Sequence, residues 1–334
     1  MSLYPGLDAP KPPIYKRLWA LFFVVFVVLS IGGTYYATKS VDYIWRWYTV
    51  PQYFFYLDDV EVLAEAEGIV ASIEPAGEES AVVIRGADGE QRYLVPADGL
   101  RVDLDQFVYV DDVLGSSQQW KSGLLIYGLW ITLKVSLIAS VFALIIGVAT
   151  GMARISNNPA LRWLAITYIE LVRGSPLLVQ MMIWYFVIGA LINKSIAGWG
   201  LGPVPTIWFG VLSLALFTGA YTAEIVRAGI QSVHLGQMEA ARSLGMSYGE
   251  AMRKIILPQA IRRILPALAG QFISLIKDSS LLGVISIREL TKITREVVTT
   301  SLQPFEFWIV CALLYLILTF GLSLLVQHLE RRAI

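Results

Sequence analysis

Six apolar stretches limit what this chain can become. They run roughly over residues 17–38, 126–151, 162–191, 206–230, 266–287 and 306–328, each close to the ~20 residues that cross a hydrocarbon core as a helix. Of the 334 residues 56% are hydrophobic and 16% charged, against roughly 25% charged in an ordinary soluble domain. The expected fold class is therefore an all-α polytopic membrane protein of six transmembrane helices, with a small β domain outside the membrane. Formal net charge is zero, so no global basic field points to nucleic acid. The single cysteine, Cys311, leaves no intrachain disulfide and no CxxC metal site. His234 and His328 stand alone at the ends of apolar stretches, where a histidine is usually structural.

Orientation follows from the cations. The uncharged run "LWALFFVVFVVLSIGGTYY", Leu18 to Tyr36, comes after Lys11, Lys16 and Arg17, which puts the N-terminus in the cytoplasm by the positive-inside rule. The run is long, aromatic and without an A-x-A site, so it reads as an uncleaved anchor rather than a signal peptide. Counting forward, Arg154, Arg162, Arg242, Arg253, Lys254, Arg262, Arg263, Arg331 and Arg332 all fall on the cytoplasmic side. Residues 39–121 fall outside, and from Asp58 to Asp112 they hold fifteen Asp or Glu against Arg85, Arg92 and Arg101.

Within that acidic module "GIVASIE", "SAVVIRG", "EQRYLVP" and "DQFVYVDD" are short runs rich in Val, Ile and Tyr, with Asp88-Gly89 as a hairpin signal. Four or five such strands could close a small barrel or sandwich. As a function, a spacer and a docking surface both remain open.

Glu170, Arg173, Glu224, Lys277 and Asp278 lie inside the expected spans. Each costs about 2.5–3.5 kcal/mol at a helix centre, so each should face a bundle interior or a wet cavity. Glu170 and Arg173 share a helix face, as do Glu224 and Arg227, which permits local pairing. Lys277 and Asp278 point to different faces and need partners on other helices or another subunit. Pairs that fix packing and a path for a charged solute are the two readings. Gly174-Ser175-Pro176 breaks or kinks a helix at the same depth.

The polar stretch "GQMEAARSLGMSYGEAMRKIILPQA", Gly236 to Ala260, reads as two short helices. The first is apolar at Leu235, Met238, Ala241 and Leu244 and is closed by Gly245. The second opens on a Ser247/Glu250 capping box, carries Met252, Ile255 and Ile256 on one face, and is expected to stop at Leu257-Pro258. Its apolar faces suit either the lipid surface or a soluble partner.

Here the residues carry a resemblance. Glu239-Ala240-Ala241, three residues, Gly245, nine residues, Ile255, one residue and Leu257-Pro258 resemble the EAA loop of permease subunits of bacterial ABC importers. "YIELVRGSPLLVQ", "AYTAEIVRAGIQSVHLGQMEAARSLGMS", "ILPQAIRRILPAL" and "LIKDSSLLGVI" look like the polar amino-acid uptake family in particular. The resemblance covers roughly residues 123–330 and implies a MetI-like core of five helices. The anchor helix and acidic module are additions that leave the orientation of those five unchanged.

The apolar spans and the charge pattern set off 1–38 (cytoplasmic N-terminus and anchor) and 39–121 (acidic periplasmic module), and the resemblance implies that 122–334 is the transport domain, with a coupling loop over 232–264. It implies that Glu239, Ala240, Ala241, Gly245, Leu257 and Pro258 contact an ATPase subunit and transmit its motion. Arg173, Ser175, Gln180, Tyr221, Glu224, Lys277, Asp278 and Ser279 become candidates for the substrate pathway, Arg173 and Glu224 facing the carboxylate and ammonium of an amino acid. Implied partners are ATPase subunits, a periplasmic amino-acid-binding protein, a second permease and lipid, in the bacterial inner membrane with both termini cytoplasmic. The chain has no G-x-x-x-x-G-K-[ST], so ATP and Mg are expected on the partner and no cofactor or metal here. A secondary ion-coupled carrier should show inverted repeats, and none is convincing. A membrane-anchored sensor needs neither five further spans nor intramembrane charges.

Overall fold

The computed structural model describes residues 12–77, 79–87 and 89–333, with side chains through residue 328. Lys11, Asp88 of the hairpin signal, and the Arg331 and Arg332 side chains lie outside the described residues. The chain divides into two compact units, residues 1–47 and 48–334.

In the first unit α1 (Pro13–Ser40) starts with proline, whose missing N–H costs nothing in a first turn. Its 28 residues span about 42 Å at 1.5 Å per residue. They are apolar all round and almost wholly exposed, which suits a lipid-facing helix. At its end Thr38 Oγ1 donates to the Tyr35 carbonyl at 2.8 Å and accepts from Trp45 Nε1 at 3.3 Å. Trp45 stacks on Trp47 at 5.5 Å.

The second unit opens with six strands: β1 (Phe55–Leu63), β2 (Gly68–Ala76), β3 (Glu79–Gly86), β4 (Gly89–Pro96), β5 (Phe107–Val108) and β6 (Val113–Ser122). The four runs legible in the sequence become β2 to β5, in the antiparallel order β4-β3-β2-β5. β5 keeps only two residues because Asp105 and Asp111 on either side turn the chain at φ 65° and 70°. A second sheet pairs β1 with β6, from Phe55↔Ser122 to Leu63↔Val113. The module is thus two open sheets rather than a closed barrel, and the whole fold is mostly helical rather than all-α. Val70, Val82, Ile84, Val95, Val108 and Leu114 fill its core. β6 runs directly into the helices, where the Gly123 N–H donates to the Phe54 carbonyl at 2.6 Å.

The helices are α2 (Leu124–Arg154), α3 (Pro159–Arg173), α4 (Leu177–Met182), α5 (Ala190–Ala197), α6 (Thr206–Gln231), α7 (Leu235–Ser243), α8 (Tyr248–Ala251), α9 (Leu257–Asp278), α10 (Leu290–Ser301) and α11 (Pro304–Ala333). A π-helical turn, Ile183–Gly189, joins α4 to α5, and another, Met252–Ile256, joins α8 to α9. Among the described residues six helical stretches are long and apolar enough to cross a membrane: 13–40, 124–154, 177–197, 206–231, 248–285 and 304–328.

Two expectations change. The third span is not one helix over 162–191. Gly174-Ser175-Pro176 separates α3, only 15 residues long, from the spanning 177–197 stretch. Leu257-Pro258 does not stop a helix either, since the chain stays helical from Tyr248 through Ile285. Proline removes the N–H that would close a normal turn, and the wider turn at Met252–Ile256 carries the chain into α9, with Pro258 in its opening turn.

α2 and α6 pack most extensively, through a small-residue seam at four-residue spacing: Ala143, Gly147 and Gly151 are all buried. A Cβ on Gly147 would strike the Thr222 side chain, and one on Gly151 would press on Ala223 and Val226. Val135, Ala139, Leu214, Leu275, Leu282 and Ile285 continue this core.

Candidate functional site

Two regions carry the expected residues. The first is the α7–α8 hairpin. His234 caps α7, its Nδ1 accepting the Gly236 N–H at 3.1 Å, a structural use. At the far end Gly245 sits at φ +84°, a left-handed position that glycine adopts without a Cβ penalty. The Gly245 N–H donates to the Arg242 carbonyl at 3.0 Å and the Met246 N–H to the Ala241 carbonyl at 3.2 Å, a Schellman closure. The capping box forms as expected: the Glu250 N–H donates to Ser247 Oγ and the Ser247 N–H to Glu250 Oε2 at 3.0 Å. These hydrogen bonds hold the Glu250 carboxyl below its usual range.

The hairpin is fixed to the bundle on one side only. Ala241 is buried, and Met238, Met252 and Ile256 pack with Val226, Ile230, Ala260 and Ile264 of α6 and α9. Arg263 donates to the Ser232 carbonyl, and Gln259 donates to Gln237 Oε1 at 3.3 Å. Leu235 and Leu244 instead stand 77% and 84% exposed, so the single apolar face read from the sequence splits. Glu239, Ala240, Gly245 and Pro258 are exposed with them, and Leu257 is half-buried.

The second region is a belt of charge between α2, α3 and α6. Glu224 forms an ion pair with Arg154, and its Oε2 accepts from Arg227 Nη2 at 2.9 Å. The side chains of Arg154 and Glu224 are only 20% and 18% exposed. Glu170 reaches Arg154 at 3.9 Å rather than pairing with Arg173. Arg173 lies over the Tyr221 ring, 5.2 Å from its centroid, a cation–π contact. Arg154 was the member missed, because its place at a helix end marks it as an ordinary cytoplasmic cation and its partner is seventy residues away.

The break before α4 is closed from within. Gln180 Nε2 donates to the Val172 carbonyl at 2.7 Å and to Ser175 Oγ at 2.8 Å, and Ser175 Oγ donates to the Leu171 carbonyl at 2.9 Å. Freed backbone groups at such depth need partners of this kind. Ser279 Oγ donates to the Ile276 carbonyl at 2.7 Å. Neither Lys277 nor Asp278 forms an ion pair among the described residues. Lys277 opens onto a cavity of about 290 Å³ with Ser280, Thr291, Trp308, Cys311 and Tyr315. Glu289, also missed, is fully buried beside α10: its Oε1 accepts from the Lys292 N–H at 2.7 Å, and its Oε2 from Thr291 N–H at 2.7 Å and Tyr315 O–H at 3.0 Å.

Six apolar helices, a paired-charge belt between α2, α3 and α6, and a half-packed polar hairpin define a multi-pass membrane transport subunit. Residues 141–334 match the family described as binding-protein-dependent transport system inner membrane component. The chain belongs to that family, the permease subunits of ABC importers. It is 42% identical over 205 residues to the probable glutamine ABC transporter permease protein GlnM of Bacillus subtilis (strain 168), covering 61% of this chain and 91% of that protein. It is 37% identical to the glutamine transport system permease protein GlnP of Escherichia coli (strain K12), covering 63% and 92%. Among solved structures, an amino acid ABC transporter with histidines matches at TM-score 0.55 and 39% identity, over 63% of this chain and 94% of that one. The MetNI methionine ABC transporter, at 19% identity and TM-score 0.54, shares the fold. The secondary-carrier and sensor readings fall with the family assignment.

Proposed function

We propose that this permease moves polar or charged amino acids into the cytoplasm, driven by a separate ATPase that grips the α7–α8 hairpin. One observation carries the coupling half: Leu235 and Leu244 are left open on a hairpin that is otherwise capped, closed and packed. Exposed apolar side chains beside small Ala240 and Gly245 allow close approach of a partner surface, and Glu239 offers it a carboxylate. Leu257 and Pro258 carry motion onward, because the hairpin's second helix is continuous with α9. ATP and Mg belong on the partner in this reading. The glutamine permeases among the relatives support an amino-acid substrate.

A periplasmic amino-acid-binding protein and a second permease, identical or similar, complete the assembly. The division into 1–38, 39–121 and 122–334 rests on the apolar spans, the charge pattern and the resemblance, and the cytoplasmic placement of both termini rests on the charge pattern. For the pathway, Arg173, Tyr221 and Glu224 form one polar group, and Lys277 and Asp278 a second with open valences. Ser175, Gln180 and Ser279 support backbone instead.

The test is co-purification with the ATPase, followed by ATP-driven uptake of glutamine, arginine and cystine in proteoliposomes. Glu239→Lys and Gly245→Asp should each release the ATPase and stop uptake. Retention of the ATPase and full uptake in both variants would remove the coupling role from the hairpin.

A further inference from the structure

We infer that the α2–α3 corner binds an anionic phospholipid in the leaflet on the hairpin side of the membrane. Where α2 ends and α3 begins, a polar cavity of about 510 Å³ is lined by Arg154, Ser156, Asn157, Arg162, Trp163 and Gln231. Its chemistry is that of a donor set. Arg162 has no carboxylate partner among the described residues. Gln231 accepts through Oε1 from Arg227 Nη1 at 2.5 Å, which leaves its NH2 group for a guest. Ser156 Oγ accepts the Asn158 N–H at 3.1 Å, which leaves its O–H. Arg154 is engaged by Glu224 through one nitrogen and keeps further guanidinium donors. Around the corner the guanidinium groups of Arg154, Arg162 and Arg227 meet only the carboxylates of Glu170 and Glu224, so the surplus is positive. Guanidinium forks and neutral donors of this kind fit phosphate oxygens.

The same two helices also hold an apolar groove of about 280 Å³, lined by Ala149, Ala153, Leu161, Leu164 and Tyr168. Leu161 and Leu164 flank Arg162 and Trp163 within one turn of α3, so headgroup-binding and chain-binding residues alternate along one short segment. Trp163 and Leu164 are 68% and 70% exposed. Tryptophan at this level is usual at a membrane boundary, and basic pockets between helices take phospholipid headgroups. A free phosphate would use the cavity and ignore the groove. A soluble partner would be met by exposed Trp163 and Leu164, which belong in lipid.

The experiment uses the permease purified with its ATPase, in nanodiscs of dioleoylphosphatidylcholine containing graded dioleoylphosphatidylglycerol, with retained lipid counted by native mass spectrometry. The wild-type complex should retain phosphatidylglycerol about ten-fold better than phosphatidylcholine. Arg162→Gln and Gln231→Glu should each reduce that preference about ten-fold, the scale of one lost charge-assisted hydrogen bond. Gln231→Glu keeps the acceptor for Arg227 and so guards against misfolding. Leu164→Asn should lower retention of both lipids. Glycerophosphoglycerol, the same headgroup without chains, should not compete at millimolar concentration. Equal retention of the two lipids by wild type, or an unchanged preference in both headgroup variants, overturns the site. Effective competition by glycerophosphoglycerol makes it a soluble-anion site instead, and loss of the ATPase with lipid retention intact makes it a protein contact.

Discussion

Arg154, the last residue of α2, and Glu224, about two turns before the end of α6, form an ion pair across the most extensive helix contact in the bundle. Arg227 takes the other Glu224 oxygen, so one carboxylate holds two guanidinium groups in a partly buried place. Removing a buried partner costs more than the pair is worth, because it strands the other charge. Glu224→Gln should therefore lower the stability of the detergent-solubilised permease by about 1–3 kcal/mol, and Arg154→Gln should recover part of that loss in the double variant. A thermal-unfolding cycle reads this directly. Additive losses would mean that the pair does not hold α2 to α6, and normal uptake in Glu224→Gln would remove Glu224 from the pathway.

At the hairpin, backbone conformation and partner contact can be separated. Gly245→Ala places a Cβ at φ +84°, costing about 1 kcal/mol, and should loosen the Schellman closure without removing any exposed apolar surface. Leu244→Ser leaves the closure intact and removes exposed apolar surface. The expected result is unchanged amide exchange at positions 245 and 246 in Leu244→Ser, faster exchange at both positions in Gly245→Ala, and ATPase loss in both. ATPase retention in Leu244→Ser would show that the exposed leucine is not a contact.

Local signals in the sequence were reliable apart from Pro258, and long-range ones were silent. The Ser247/Glu250 box and the Gly245 closure depend on residues within five positions, and both form as read. The β2, β3 and β4 runs alternate within a few residues and become strands. β1 and β6 pair residues at least fifty apart, and "GSSQQWKS" carries no hydrophobic pattern of its own. Arg154 and Glu170 likewise meet only after α2, α3 and α6 pack. Pro258 misled because proline usually ends a helix, whereas a π-helical turn just before it lets the helix continue. Glu289 follows Arg288 in a polar stretch that gives no hint of burial.

The capping box has a pH dependence with a definite sign. Glu250 is held below its ordinary value of 4.5 by its hydrogen bonds to Ser247. A depressed carboxyl contributes stability that is present above the unfolded value and lost as pH falls through the folded one. Exchange at the first amides of α8 should thus be insensitive to pH-corrected conditions from pH 7 to 5, then rise faster than intrinsic exchange below pH 4.5. Glu250→Gln should flatten that rise. The same acid sensitivity in Glu250→Gln would assign it to another group.

Glu289 should be the most demanding side chain at the α10 end of the bundle. Its two oxygens accept from the Thr291 and Lys292 N–H groups at the start of α10 and from the Tyr315 hydroxyl of α11. α10 sends Leu290, Ile293 and Val297 into the core shared with Leu125 and Phe307, so loss of its cap loosens that core. Glu289→Ala removes the acceptor of the Thr291 and Lys292 N–H groups and leaves the Tyr315 hydroxyl only Thr291 Oγ1, 3.0 Å away, which should cost about 2–4 kcal/mol. Glu289→Gln keeps one acceptor oxygen, and Tyr315→Phe removes one donor together with its need; each should cost about 1 kcal/mol. The order Ala, then Gln and Phe, should appear in thermal unfolding and in amide exchange confined to α10. If Glu289→Ala unfolds no earlier than Tyr315→Phe, the cap does not hold α10, and the apolar contacts of Leu290, Ile293 and Val297 suffice.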